Sequence, residues 1–155
     1  MAARSKASGR GAPLPPATVQ LLRRADAELL AARFTADPDD RFVYAHLAAL
    51  RAAAALVAAW GRPTTRRGPR AVWELLARTA PEFEGWTAYF ASGARARADI
   101  EAGVAGVVDE QRSGELLAAA EDFVDEVRIA LEESAQHEVA PAPPVVGSGA
   151  GSRAG

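Results

Sequence analysis

The chain has 155 residues and no cysteine, with 18 Lys or Arg against 20 Asp or Glu for a net charge of −2. That length suits one domain with a single modest core, and the missing cysteines exclude disulfides, thiolate metal sites and a cysteine nucleophile while fitting a reducing, cytoplasmic setting. The hydrophobic share of 49% is swollen by alanine, and the most apolar uncharged run, Ala52 to Gly61, is too short to cross a bilayer, so no membrane partner is expected.

Taken in order, residues 1–15 are rich in Gly, Ala, Pro and Ser, carry Arg4, Lys6 and Arg10, lack the apolar stretch of a signal peptide, and are expected to be a disordered basic arm. A first helix starts near Pro16 to Thr18 and runs to about Ala36. It is followed at once by the segment with the clearest signals in the chain. Asp37 is an N-cap, Pro38 suits the first helical position, and Asp39 and Asp40 place negative charge on the positive end of the helix dipole. Gly61 and Pro63 end it. Val43, Leu47, Leu50, Ala54 and Val57 form one apolar stripe, and Phe42, His46, Ala49, Ala53, Leu56 and Trp60 form a second, so this helix is expected to lie at the centre. A strip of alanines, Ala45, Ala48, Ala52, Ala55 and Ala59, lets another helix approach closely.

Residues 61–70, GRPTTRRGPR, form a basic loop with Arg62, Arg66, Arg67 and Arg70 and no acid. Pro69 opens a short helix, and Pro81 opens another expected to run unbroken from Glu82 to about Glu101, with Phe83, Trp86 and Phe90 inward and Arg95 and Arg97 toward its end. VAGVV at 104–108 has no partner strand and reads as a packed connector. A last helix begins between Asp109 and Ser113. The helical domain is expected over 16–134, with a disordered low-complexity tail over 135–155. All periodicity is near that of a helix, which predicts an all-α, up-and-down bundle of four to five helices.

Charge is uneven along the chain. Residues 1–70 hold twelve Lys or Arg against five acids, and residues 99–155 hold three Arg against twelve acids. Basic and acidic helices can pair within the fold, or the basic part can face an anionic partner.

Few residues carry chemistry. His137 lies at the frayed end of the last helix and reads as solvated. His46 is mid-helix and reads as a histidine satisfied by a polar neighbour. No metal-ligand spacing and no glycine-rich phosphate loop occurs, so neither a metal nor a cofactor is expected. Trp60, Trp73 and Trp86 fall on apolar stripes and read as core or dimer surface.

The order of a helical hairpin ending AHLAALRAAAALVAAWG, an Arg-rich loop, a short AVWELL helix, the segment EFEGWTAYFASGARARADIEAG and a closing amphipathic helix resembles the HEPN superfamily, in particular its small stand-alone actinobacterial members, over about residues 17–133. The resemblance implies a helical bundle that often dimerises. Many members are metal-independent RNases, some of them toxins, whose Arg-x4–6-His motif on a late helix faces its copy across a dimer cleft. Others lack the motif and bind nucleotides, nucleic acid or a partner protein. Here only Arg41 and His46 have that spacing. They lie on the early helix, and no histidine follows Arg95 or Arg97. The expectation is therefore a catalytically silent domain that binds RNA, a nucleotide or a nucleic-acid-associated partner through Arg62, Arg66, Arg67 and Arg70, with Arg95 and Arg97 as further phosphate contacts, and that forms a homodimer. The alternatives are a divergent RNase using Arg41 and His46, and a purely structural adaptor.

Overall fold

Asp37 caps the central helix as its sequence directs: its carboxylate accepts the backbone N–H of Asp40 at 3.0 Å. The computed structural model describes residues 13–62 and 64–139. They form α1 (Pro16–Phe34), α2 (Pro38–Trp60), α3 (Pro69–Thr79), a 3-10 turn (Pro81–Phe83), α4 (Glu84–Ser92), α5 (Ala94–Glu101) and α6 (Glu110–Val139). No strand occurs among the described residues, and the architecture is an all-α bundle. Most of the expected N-terminal arm and of the expected tail lies outside the described residues, and α6 itself continues to Val139, past the expected boundary at 134.

Helix α2 is central, packing against α1, α3, α5 and α6. It is long and apolar enough, by length and composition, to cross a membrane, but its large apolar residues Phe42, Leu50 and Leu56 are buried inside the bundle. Ala45, Ala48, Ala52 and Ala55 are fully buried, and α1 answers with Ala25 and Ala32. The approach is close enough for Thr18 Oγ1 on α1 to donate to the carbonyl of Ala55 at 3.2 Å.

The last helix is joined to the hairpin by charge as well as by packing. Arg33 pairs with Glu121, Arg41 with Glu110, and Arg128 with Asp26. Each pair has at least one substantially exposed partner, so they orient α6 more than they stabilise it.

Two expectations need correction. The helix expected from Glu82 to Glu101 is three pieces, a 3-10 turn, α4 and α5, because the carbonyl of Phe90 does not serve a continuing helix. It accepts instead from the N–H of Gly93 at 3.0 Å and from His46 at 2.7 Å. The connector at 104–108 is tethered more than packed. Val104 is exposed, whereas the backbone N–H groups of Val107 and Val108 donate to the Asp39 carboxylate at 3.2 and 2.9 Å. The Val108 N–H foremost, with those of Val107 and Gly106, holds the Asp39 carboxyl below its usual range against the opposing effect of burial.

Candidate functional site

The basic loop leaves α2 at Gly61 and enters α3 through Gly68, whose φ of 94° is a left-handed value suited to glycine. Arg62, Arg66, Arg67 and Arg70 are all exposed. Two of them are held by one acid: Glu74, in the second turn of α3, binds Arg66 and also lies 3.2 Å from Arg70 Nε. The hydrogen bond from Arg66 is the main reason the Glu74 carboxyl sits below its usual range, followed by the charge of Arg66 and then by Arg70. Arg62 and Arg67 have no ion pair among the described residues. The loop arginines therefore do not neutralise the acidic last helix, whose partners are Arg33 and Arg41.

Beside the loop, α3, α4 and α5 line a cavity of about 650 Å³ that opens to solvent. Trp73 and Ala77 come from α3, Ala91 from α4 and Ala94 from α5. Arg70 and Glu74 stand at its edge, and His46 and Arg97 complete its wall. Lined mainly by apolar atoms with a few polar groups, it has the make-up of a small-ligand site.

His46 is fully buried. Its ring stacks on Phe42 and meets Trp73 and Phe90 edge-on. Since a carbonyl only accepts, the 2.7 Å contact with Phe90 O fixes the proton on Nε2. Nδ1 is then a bare acceptor, buried and without a partner. Burial pushes the His46 pKa below the ordinary value. The Phe90 hydrogen bond opposes that shift, and the charge of Arg97 adds to it. At neutral pH the imidazole is uncharged.

Gly93 belongs to the same construction. A Cβ placed there would meet His46 Cδ2 and Phe42 Cζ, each at 3.3 Å, and both rings are fully buried. Gly93→Ala is therefore expected to destabilise the domain by about 1–2 kcal/mol despite alanine's better helix propensity, measured by urea denaturation. A neutral or stabilising result would show that the two rings can yield.

The two residues with RNase-like spacing do not converge. Five positions along a helix turn the side chains roughly 140° apart. Arg41 is occupied elsewhere: Nη1 donates to the Glu110 carboxylate at 2.9 Å and to Ser113 Oγ at 3.1 Å, and Nη2 donates to the carbonyl of Thr35 at 3.1 Å. It clamps the α1–α2 turn to the start of α6. The arginine that does share a site with His46 is Arg97, which is buried in the cavity wall, whereas Arg95 projects into solvent beside Asp99. The side chain of His137 lies outside the described residues, and no metal-binding cluster of His, Asp or Glu occurs among them. Trp73, Glu74 and the three alanines of the cavity were not singled out by the sequence as site residues. Trp73 reads as core or dimer surface from its apolar stripe, and nothing in the sequence marks Glu74.

A family model described as SAV_6107-like HEPN matches residues 32–128, more than half of the chain. No curated protein and no solved structure matches it. The matched span begins at the end of α1 and closes within α6, so it takes in α2, the basic loop and every helix that lines the cavity. The chain belongs to the SAV_6107-like HEPN family.

Proposed function

We propose that this HEPN domain is a catalytically silent module that binds RNA through the loop arginines Arg62, Arg66, Arg67 and Arg70. The observation that carries the reading is the state of that loop: four exposed arginines in nine residues, with Glu74 as the sole acid paired to any of them among the described residues. Phosphates attract such a surface without regard to sequence and release counterions on binding. Arg41 is committed to Glu110, and His46 is buried and hydrogen-bonded to Phe90. Among the described residues that leaves no Arg and His pair free to serve a scissile phosphate in the manner of an RNase.

The test is salt-dependent binding of a mixed RNA pool to the full chain. Replacing all four arginines with glutamine should weaken binding at least tenfold and flatten the salt dependence by roughly 0.7 of a log unit per arginine that contacts a single-stranded phosphate. Glu74→Gln, which releases Arg66 and Arg70, should tighten binding about threefold at low salt, an effect that shrinks as salt screens the charges. Unchanged affinity in the four-arginine variant would contradict the reading.

We place a second copy of the chain on α1 rather than on α2, whose apolar faces are used up inside the bundle. Leu30 and Phe34, one helical turn apart, are 52% and 83% exposed. Light scattering at micromolar concentration should give a dimer that Phe34→Glu dissociates. A monomer in both cases removes this part of the proposal.

A further inference from the structure

Arg97 is only 8% exposed, and it forms part of the lining of the α3–α4–α5 cavity. Its guanidinium makes no hydrogen bond among the described residues. Nε is enclosed and unpartnered, 3.5 Å from the half-exposed carboxylate of Glu101 but outside hydrogen-bond geometry. The two Nη nitrogens, which also donate to no described group, are not sealed off in this way and keep some accessible surface. A guanidinium carries five N–H donors, and a charged group taken out of water without partners is costly, so folded proteins leave few of them. An unmet cation in the lining of a cavity points to an anion that the cavity receives.

We infer that this cavity binds a small apolar molecule bearing one carboxylate, with the carboxylate on Arg97 and the apolar part on Trp73 and the neighbouring alanines. The other charges of the lining cancel, because Arg70 is paired with Glu74 at 3.2 Å. Arg97 is left as the single excess charge, which matches a monoanion better than a doubly charged phosphate monoester. The planar guanidinium fork also fits the two oxygens of a carboxylate. Beyond the charges the lining is mostly apolar. Ala77, Ala91 and Ala94 are small and exposed, Trp73 adds ring carbon, and the hydroxyl of Thr87 already donates to the carbonyl of Phe83 at 3.2 Å. A space of about 650 Å³ is far larger than a bare anion fills, so an apolar body accompanies the charge. The site makes no use of Arg62, Arg66 or Arg67, and it stands apart from the RNA-binding reading above.

The test is a titration of the full chain with octanoate, octanol and acetate, followed through the backbone-amide NMR signals of Ala77, Ala91 and Ala94. Octanoate should shift all three. It should bind about tenfold more tightly than octanol, which lacks the charge, and than acetate, which lacks the chain. Arg97→Met keeps an apolar stem in place and removes the charge. It should lower the affinity for octanoate to that for octanol while leaving octanol binding as in the wild type. Ala91→Phe, which sets a ring at the cavity from an exposed helix position, should abolish the octanoate shifts at Ala77 and Ala94. The site is overturned if octanoate leaves the three wild-type signals in place, or if octanol or acetate binds the wild type as tightly as octanoate. It is overturned equally if Arg97→Met, shown by circular dichroism to be folded, binds octanoate as the wild type does, or if the shifts persist in Ala91→Phe.

Discussion

Phe123→Ala is expected to destabilise the domain by about 3–5 kcal/mol, the largest effect of any single truncation in this molecule. Phe123 is fully buried on α6 and is the residue on which the aromatic core converges. Its ring centroid lies 5.3 Å from Phe90, 5.7 Å from Trp86, 5.9 Å from Phe83 and 6.1 Å from Trp73. Those four rings come from α3, the 3-10 turn and α4, the least regular part of the fold. They cannot collapse into the vacated space, because Phe90 is held by its stack on Trp73 and its backbone by His46. The loss therefore includes a cavity term as well as the lost transfer energy. Against the roughly 5–15 kcal/mol that holds a typical domain together, it should place the variant near the edge of folding. A urea midpoint that barely moves would mean that α6 does not carry the aromatic cluster.

Acidification should produce the second large effect, through His46. The pKa of this residue is lowered in the folded chain by burial foremost and by Arg97, and the unfolded value is near the ordinary 6.5. Between those two values the unfolded chain binds the proton that the folded chain refuses. Stability is thus full above about pH 6.5 and declines as pH falls through 6.5 toward the folded value, by up to about 1.4 kcal/mol per pH unit. Of the charged groups around the ring, Arg97 on α5 acts on it directly, Arg70 and Glu74 on α3 line the same cavity, and Arg112 on α6 lies over the Phe42 ring that stacks on it. Asp39 and Glu74, whose pKa values are also depressed, add their own losses only in the carboxylate range, well below this window. His46→Gln keeps a donor for the Phe90 carbonyl and cannot take up a proton. It should be less stable than wild type at pH 7.5 but should show little further loss between pH 7 and pH 5, in melts followed by circular dichroism. An equal slope in both proteins would assign the acid sensitivity elsewhere.

The bundle could be read from the sequence because its signals are local. Asp37, Pro38 and Gly61 mark the bounds of α2 within the helix they delimit, and alanines recurring along one strip announce a close helix contact before any partner is known. What could not be read depends on residues far apart in the chain. Gly93 in the interior of a helical pattern costs only about 1 kcal/mol by itself, so an unbroken helix was the natural reading. The break comes from His46, forty-four positions earlier, which takes up the Phe90 carbonyl. Asp39 looks like a helix-dipole residue until the connector sixty-eight positions later donates to it. The loop arginines stood out as a cluster without acids, and they remain exposed; that Glu74 would hold two of them was hidden in an ordinary surface helix. The cavity left one partial trace. Phe83, Phe90 and Arg97 recur every seven residues, which sets a charged side chain on a stripe that otherwise faces the core. Its alanine lining gave none, since alanine is everywhere in this chain.

The central claim, binding without cleavage, is tested most directly by incubating an end-labelled single-stranded RNA with the purified chain in the absence of added metal and dividing each sample between a native and a denaturing gel. The account predicts a retarded band on the first and full-length RNA on the second, with His46→Gln behaving as wild type on both. Shortened RNA that disappears in His46→Gln, at a pH where both proteins are folded, would contradict it.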